Sequence, residues 1–154
     1  DPEVWNNYFK FSICRNPWDR AVSYFHWDTR NNPELKPRKR FYNYFGVPFN
    51  EIGQLRKLFA GYIKSTRLPS NDPFYVIDDE LCIDDIIHYE NLMEDYNRIL
   101  SKLGLPRADL PRLKGGIRTG GYHYSEYYDE ETKKIVADQH KFDIQFFGYK
   151  FEPK

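Results

Sequence analysis

The residues best suited to bind an anion are Arg15 and Ser23, which lie at the two ends of the run RNPWDRAVS. A guanidinium group offers a planar fork of N–H donors that matches a phosphate, and a serine hydroxyl adds one more donor. The two residues therefore predict a phosphate-binding site. A structural alternative stays open, in which Arg15 pairs with Asp19 and Ser23 is a solvated helix residue.

A strand before this run and a helix through it would position the two residues. In FKFSIC, residues 9–14, bulky apolar side chains alternate with smaller or polar ones, which predicts a strand with one face more buried than the other. Asn16 is a favourable N-cap, Pro17 suits the first helical position, and Asp19 places a carboxylate in the first turn. The helix is therefore predicted to start at Asn16.

The predicted helix has two distinct faces. Its apolar stripe follows the i, i+3, i+4, i+7 pattern and should pack against a sheet; it comprises Trp18, Ala21, Val22 and Phe25. The opposite face is predicted to carry Asn16, Asp19, Arg20 and Ser23, which places Ser23 roughly 10 Å along the helix from the cap.

Three segments resemble the carbohydrate-type sulfotransferases. RNPWDRAVSYF is similar to the 3′-phosphate-binding motif of that family, and IIHYENL, residues 86–92, to its strand ending in RYENL, with His88 where an arginine is often found. The stretch 124–151 resembles the closing helix and its FGY end. The resemblance implies that Arg15 and Ser23 hold the 3′-phosphate of the co-substrate 3′-phosphoadenosine 5′-phosphosulfate.

The resemblance also implies an α/β fold, of the P-loop-NTPase-like three-layer type with a central, mainly parallel sheet, and we expect residues 1–154 to form one domain. Family members carry, upstream of this motif, a first strand and a KxG[ST][ST] loop that binds the 5′-phosphosulfate. That strand and loop are missing from this sequence. The sequence is then the C-terminal part of a longer protein, or has lost its N-terminal part by truncation or proteolysis, or folds without that part; truncation is the favoured expectation, because a sheet without its first strand would expose an unpaired edge.

The segment 106–121 is rich in proline, glycine and basic residues. Its glycine pairs allow close approach of the backbone to a ligand. In the resembling family a loop at this place folds over the donor and supplies a basic residue; Arg118 is the best positional match and Lys114 the second. The alternative is a surface loop with ordinary charges.

The remaining elements are predicted from local patterns. Residues 28–40 form a loop whose basic run, 36–40, is either solvated surface or a contact for an acidic glycan. We expect Asn50 to cap a helix whose apolar stripe comprises Ile52, Leu55, Phe59, Tyr62 and Ile63. A hairpin or a bent pair of strands is predicted over 74–83, and a strand over 86–89. A helix should follow from Asn91 to Gly104, and a final one should run from Asp129 to Gly148.

The chain carries 23 Lys and Arg against 23 Asp and Glu, so no global field attracts nucleic acid or an anionic membrane. We expect no nucleic-acid partner and no membrane contact, since no apolar stretch reaches the length of a membrane span. The aspartates at 78, 79, 84 and 85 lack the ligand pattern of a calcium loop, so no metal is predicted. Cys14 and Cys82 are predicted as reduced, buried thiols, which favours the cytoplasm; the alternative is the Golgi lumen, if an N-terminal anchor precedes the sequence.

The predicted function is transfer of a sulfuryl group from 3′-phosphoadenosine 5′-phosphosulfate to a carbohydrate hydroxyl. The alternative is a non-catalytic glycan- or protein-binding module on the same scaffold, which would use the abundant aromatics, 18% of the chain. His26, His88, His123 and His140 are interpreted as surface or core residues, so no catalytic residue is assigned. The sequence does not predict an oligomeric state.

Overall fold

A computed structural model describes residues 1–31, 52–78, 80–111, 118 and 121–154 of the chain. Its helices are α1 (Pro2–Asn7), α2 (Pro17–Asn31), α3 (Ile52–Ser65), α4 (Leu92–Lys102), α5 (Glu130–Gln139) and α6 (Lys141–Phe147). The strands are β1 (Phe11–Cys14), β2 (Val76–Ile77), β3 (Glu80–Leu81) and β4 (Asp85–His88). Short 3₁₀ turns cover Asp72–Phe74, Tyr89–Asn91 and Tyr124–Tyr127.

The chain divides into two compact units. The first comprises Asp1–Arg15 and Ser70–Pro111, and the second comprises Asn16–Pro69 and Arg112–Lys154. That residues 1–154 form one domain stays a prediction. Within the described residues, no helix is both long enough and apolar enough to cross a membrane.

The first unit holds the strands. β1 pairs with β4 in parallel, in a register that runs from Phe11 opposite Asp85 to Cys14 opposite His88. β2 and β3 pair antiparallel and form the predicted hairpin. The mixed α/β class and the parallel pairing are confirmed.

The predicted burial of the apolar face of β1 is wrong for the described residues. Phe11 and Ile13 are 43% and 47% exposed, whereas Cys14 is only 2% exposed. β1 and β4 form a sheet of only two strands in the described residues, and a sheet this narrow buries little apolar surface on its faces. The prediction for the cysteines holds for Cys14, but Cys82 is only half-buried.

Helix α4 is tied to β4 by charged hydrogen bonds. The Arg98 guanidinium donates to the Asp85 carboxylate at 2.7 Å and to the Ile86 carbonyl at 2.8 Å, and Lys102 also contacts Asp85. The hydrogen bond from Arg98 holds the pKa of Asp85 well below its ordinary value. Asp85 therefore stays ionised and fixes the start of β4 against α4.

The second unit is built around the predicted stripe of α2. Its members are at most 5% exposed, and they pack with buried side chains of α3, of the 3₁₀ turn 124–127 and of α5. The core residues from these elements are Leu55, Phe59, Ile63, Tyr124, Tyr127 and Val136. The stripes predicted for α2 and α3 are thus confirmed; Asn50, the predicted cap of α3, lies outside the described residues.

Asn16 caps α2 as predicted. Its Oδ1 accepts hydrogen bonds from the N–H groups of Trp18 at 3.1 Å and Asp19 at 3.4 Å. Its Nδ2 donates to the Lys150 carbonyl at 3.0 Å, so the cap also holds the C-terminal segment. At its other end α2 continues to Asn31, so residues 28–31 are helical rather than loop, while the basic run 36–40 lies outside the described residues.

Arg20, predicted on the face of α2 opposite the apolar stripe, is buried and only 6% exposed. Its Nη2 lies 3.3 Å from Asp143 Oδ2 and 2.9 Å from His140 Nδ1. Because arginine can only donate, the Nδ1 atom of His140 accepts. A charged residue in an amphipathic pattern is normally assigned to solvent, but here a carboxylate distant in sequence neutralises it.

The predicted final helix is two helices. Asp129 caps α5 by accepting from the Thr132 N–H at 2.7 Å, and Gly148, at φ 68°, ends α6; both limits are as predicted. Between them His140 leaves helical geometry, at φ −123° and ψ 35°, where its buried ring meets Arg20.

The cap of α2 can be tested with two variants of Asn16. We expect Asn16→Ala to lower the free energy of unfolding by about 1–2 kcal/mol, because it removes the acceptor for two backbone N–H groups. Asn16→Ser keeps a cap oxygen but also loses the amide that binds the Lys150 carbonyl, so the difference between the variants isolates the cap. Urea denaturation measures both, and equal losses would contradict the capping role.

Candidate functional site

Arg15 follows β1 at the carboxyl edge of the parallel strand pair. Cys14 and His88 are register partners at the ends of β1 and β4, so Arg15 and Tyr89 are the residues that directly follow the two strands. The carbon of the Arg15 guanidinium lies 4.1 Å from the centroid of the Tyr89 ring. In open α/β sheets, ligands bind beyond the carboxyl ends of the strands. Arg15 is therefore placed at the edge where an anion is expected.

Ser23 lies half-buried in α2, one helical turn after Asp19. The Asp19 Oδ1 accepts a hydrogen bond from Arg118 Nη1 at 2.8 Å. Residues four apart lie on the same face of a helix, so Arg118 is held on the face of α2 that carries Ser23. The structure thus brings these two predicted site residues to one face of the second unit.

Two donor atoms of the Arg118 guanidinium, Nε and Nη2, are shielded from solvent and have no hydrogen-bond partner among the described residues. The charge of Arg118 also lies near the Tyr127 ring, with 5.8 Å between the guanidinium carbon and the ring centroid. Cationic donor atoms that have no partner among the described residues are a favourable place for a phosphate oxygen.

The predicted site residues fall in different parts of the structure. Arg15 belongs to the first unit, and Ser23 and Arg118 belong to the second. Lys114 lies outside the described residues. The roles of all four in holding a ligand stay predictions.

His26 is a core residue and not a base suited to neutral pH. It is 4% exposed, and its Nε2 lies 2.9 Å from the Tyr127 hydroxyl. Burial, together with the charge of Arg118, lowers its pKa from 6.5 to about 4. The ring is therefore neutral at pH 7.

Two other histidines have structural contacts. His123 caps the 3₁₀ turn 124–127, with Nδ1 2.8 Å from Ser125 Oγ and its N–H donating to Glu126 at 2.7 Å. His140 accepts from Arg20 in the buried cluster described above.

His88 is the histidine bound to a carboxylate at a partly exposed position. Its ring Nδ1 lies 3.1 Å from Asp95 Oδ2, which also accepts the His88 backbone N–H at 2.8 Å. Burial opposes the charge on Asp95, but the hydrogen bonds from His88 and Arg98 outweigh it and lower the pKa of the carboxyl. Asp95 is therefore an acceptor, and the His88 Nδ1 donates to it.

Sequence reasoning missed Tyr89 and Asp19 as partners of the basic site residues. The position of Tyr89 could have been predicted, because in IIHYENL this aromatic residue stands at the end of the predicted strand, where Arg15 stands at the end of the other. No local signal pairs Asp19 with Arg118, since these residues are far apart in the chain. Among the described residues, no group of three or more His, Cys, Asp or Glu side chains is placed to hold a metal ion.

The low pKa of His26 makes stability depend on pH. Between pH 6.5 and 4 the unfolded chain binds a proton that the folded chain does not, so stability falls as pH falls through this window. We expect the free energy of unfolding to drop by about 1–2 kcal/mol between pH 6.5 and 5 through this residue.

The matched variant for this effect is His26→Gln. Glutamine does not titrate, so the free energy of unfolding of this variant should depend less on pH over this range. Chemical denaturation at several pH values measures the variant and the unmodified protein. Parallel curves for the unmodified protein and His26→Gln would rule out the buried histidine as the cause.

Comparison with known protein families identifies the chain. The model of the sulfotransferase family matches residues 2–150. Neither a comparison with curated proteins nor one with solved structures returned a match. The family match spans nearly the whole sequence and includes both the run 15–23 and the segment that contains Tyr89. The chain belongs to the sulfotransferase family.

Proposed function

We propose that this chain takes part in the transfer of a sulfuryl group from 3′-phosphoadenosine 5′-phosphosulfate to a carbohydrate hydroxyl. The observation that carries the proposal is the run 15–23. It forms a strand end with an arginine at the carboxyl edge and a capped helix that bears a serine two turns on. Family membership supports the reaction type, and the local geometry supports an anion as ligand.

Arg15 and Ser23 are proposed to hold the 3′-phosphate of the donor. Arg118 and Lys114 are proposed to close over the donor phosphates. The shielded Nε and Nη2 atoms of Arg118 support its part, because a phosphate oxygen would satisfy donors that lack a partner among the described residues. We assign this chain only the 3′-phosphate part of the donor site.

The finer fold assignment belongs to the same proposal. We place the chain in the P-loop-NTPase-like three-layer architecture with a mainly parallel sheet. The parallel pairing of β1 with β4 supports this assignment, as do the helices that follow each of these strands in sequence.

The reaction itself is a displacement at sulfur. The acceptor hydroxyl oxygen attacks the sulfur atom, and the bond between sulfur and the bridging oxygen of the 5′-phosphate breaks. The electron pair leaves on that oxygen and gives 3′-phosphoadenosine 5′-phosphate. Such a step needs an aligned acceptor, a base for the hydroxyl proton and cations near the leaving phosphate. The residues proposed to bind the donor would align it for this step: Arg15, Ser23, Arg118 and Lys114. No residue of this chain is assigned as the base.

A non-catalytic glycan- or protein-binding module is the second candidate. The observation that favours it is the number of large aromatic side chains exposed at the surface. Trp5, Tyr8, Trp27, Phe74 and Tyr89 are 40–71% exposed. Aromatic faces of this kind suit sugar rings and protein interfaces. Glycan binding that neither the nucleotide nor the Arg15→Ala substitution affects would favour this candidate.

Nucleotide binding tests the proposal directly. We expect 3′-phosphoadenosine 5′-phosphate to raise the Tm of the protein by several degrees at saturating concentration, because a ligand that binds only the folded state stabilises it. Arg15→Ala should abolish the shift, since it removes the bidentate partner of the 3′-phosphate.

The control is Arg107→Ala, which removes an exposed arginine from the same unit and should leave the shift intact. Differential scanning fluorimetry measures all three proteins. A folded, unmodified protein that shows no shift would count against the proposal, as would an equal shift in Arg15→Ala.

A further inference from the structure

Tyr89 stacks on the arginine that is proposed to bind the donor. The distance of 4.1 Å between the guanidinium carbon and the ring centroid is well inside the range of about 6 Å for a cation–π contact. Tyr89 is 46% exposed, so burial in the core does not explain its position. The contact lies wholly within the first unit.

The backbone before Tyr89 is fixed by α4. The Asp95 carboxylate accepts a hydrogen bond from the His88 backbone N–H at 2.8 Å, and its Oδ2 also lies 3.1 Å from the ring Nδ1 of His88. Two residues before His88, the Ile86 carbonyl accepts a hydrogen bond from Arg98 at 2.8 Å. These hydrogen bonds hold the end of β4, and the 3₁₀ turn that begins with Tyr89 follows at once. The aromatic ring is therefore presented from a rigid strand end.

Stacking on an aromatic ring restricts the orientation of an arginine side chain. A guanidinium that lies on an aromatic ring keeps its N–H donors in its own plane, where they match a phosphate bidentately. An arginine side chain that moves freely samples many rotamers, and ordering it when a ligand binds costs conformational entropy. A platform that restricts these rotamers before the ligand arrives reduces that cost.

We propose that Tyr89 is a positioning residue that orients the Arg15 guanidinium for the 3′-phosphate of the donor. This inference rests on the proposed function. Its specific consequence is selectivity. Tyr89 should increase affinity only for nucleotides that carry a 3′-phosphate, because it acts through Arg15 and not on the nucleoside.

The test compares two ligands by isothermal titration calorimetry. 3′-Phosphoadenosine 5′-phosphate has the 3′-phosphate, and adenosine 5′-monophosphate lacks it. We expect Tyr89→Leu to weaken binding of the first roughly two- to tenfold, and to leave binding of the second unchanged. Tyr89→Phe keeps the ring and should bind like the unmodified protein. Tyr8→Leu, at another exposed tyrosine of the same unit, is the matched control and should have no effect.

A double-mutant cycle separates positioning from a general structural effect. In an Arg15→Lys background, which keeps the positive charge but not the planar guanidinium, Tyr89→Leu should cause a smaller loss than in the unmodified background, because the ring no longer has a guanidinium to orient. If Tyr89→Leu fails to fold, Tyr89→Gln removes the ring with a polar side chain suited to an exposed position.

The outcomes distinguish this inference from the proposed function. If the unmodified protein does not bind 3′-phosphoadenosine 5′-phosphate, the proposed function is wrong and this inference is wrong with it. If the unmodified protein binds and Tyr89→Leu binds equally well, this inference alone is overturned. A loss in Tyr89→Leu that is the same for both nucleotides would also overturn it.

Discussion

Burial of the apolar stripe of α2 is the constraint on which the second unit depends. Phe25 meets the Phe59 ring of α3 with 5.5 Å between centroids, and Trp18 meets the Phe151 ring of the C-terminal segment at 5.6 Å. The Tyr128 hydroxyl also donates to the Trp18 carbonyl at 2.8 Å. These contacts fix the rotation of α2 about its axis. Because the rotation is fixed, the face with Asp19 and Ser23 points away from the stripe, and Arg118 meets it there.

The features predicted correctly from sequence are those set by local physics. The stripes of α2 and α3 follow from helical periodicity, and the caps at Asn16 and Asp129 follow from side chains that reach backbone N–H groups two or three residues on. Gly148 ends α6 because glycine adopts a positive φ without strain. The parallel pairing of β1 with β4 came from the family resemblance and not from periodicity.

The features that sequence reasoning missed depend on residues far apart in the chain. Arg20 is buried because Asp143, 123 positions later, supplies a carboxylate. The break between α5 and α6 occurs where His140 turns toward the same arginine. Phe11 and Ile13 stay exposed because burial of a strand face depends on which element covers it. The stacking of Tyr89 on Arg15 required the register of two strands, which local pattern does not determine.

We propose that Arg15 and Ser23 bind the 3′-phosphate of the sulfuryl donor, and a crystal structure of the protein with 3′-phosphoadenosine 5′-phosphate tests this most directly. We expect 3′-phosphate oxygens within hydrogen-bond distance of the Arg15 guanidinium and the Ser23 hydroxyl, with the Arg15 guanidinium still stacked on Tyr89. A bound nucleotide whose 3′-phosphate contacts neither Arg15 nor Ser23 would contradict it.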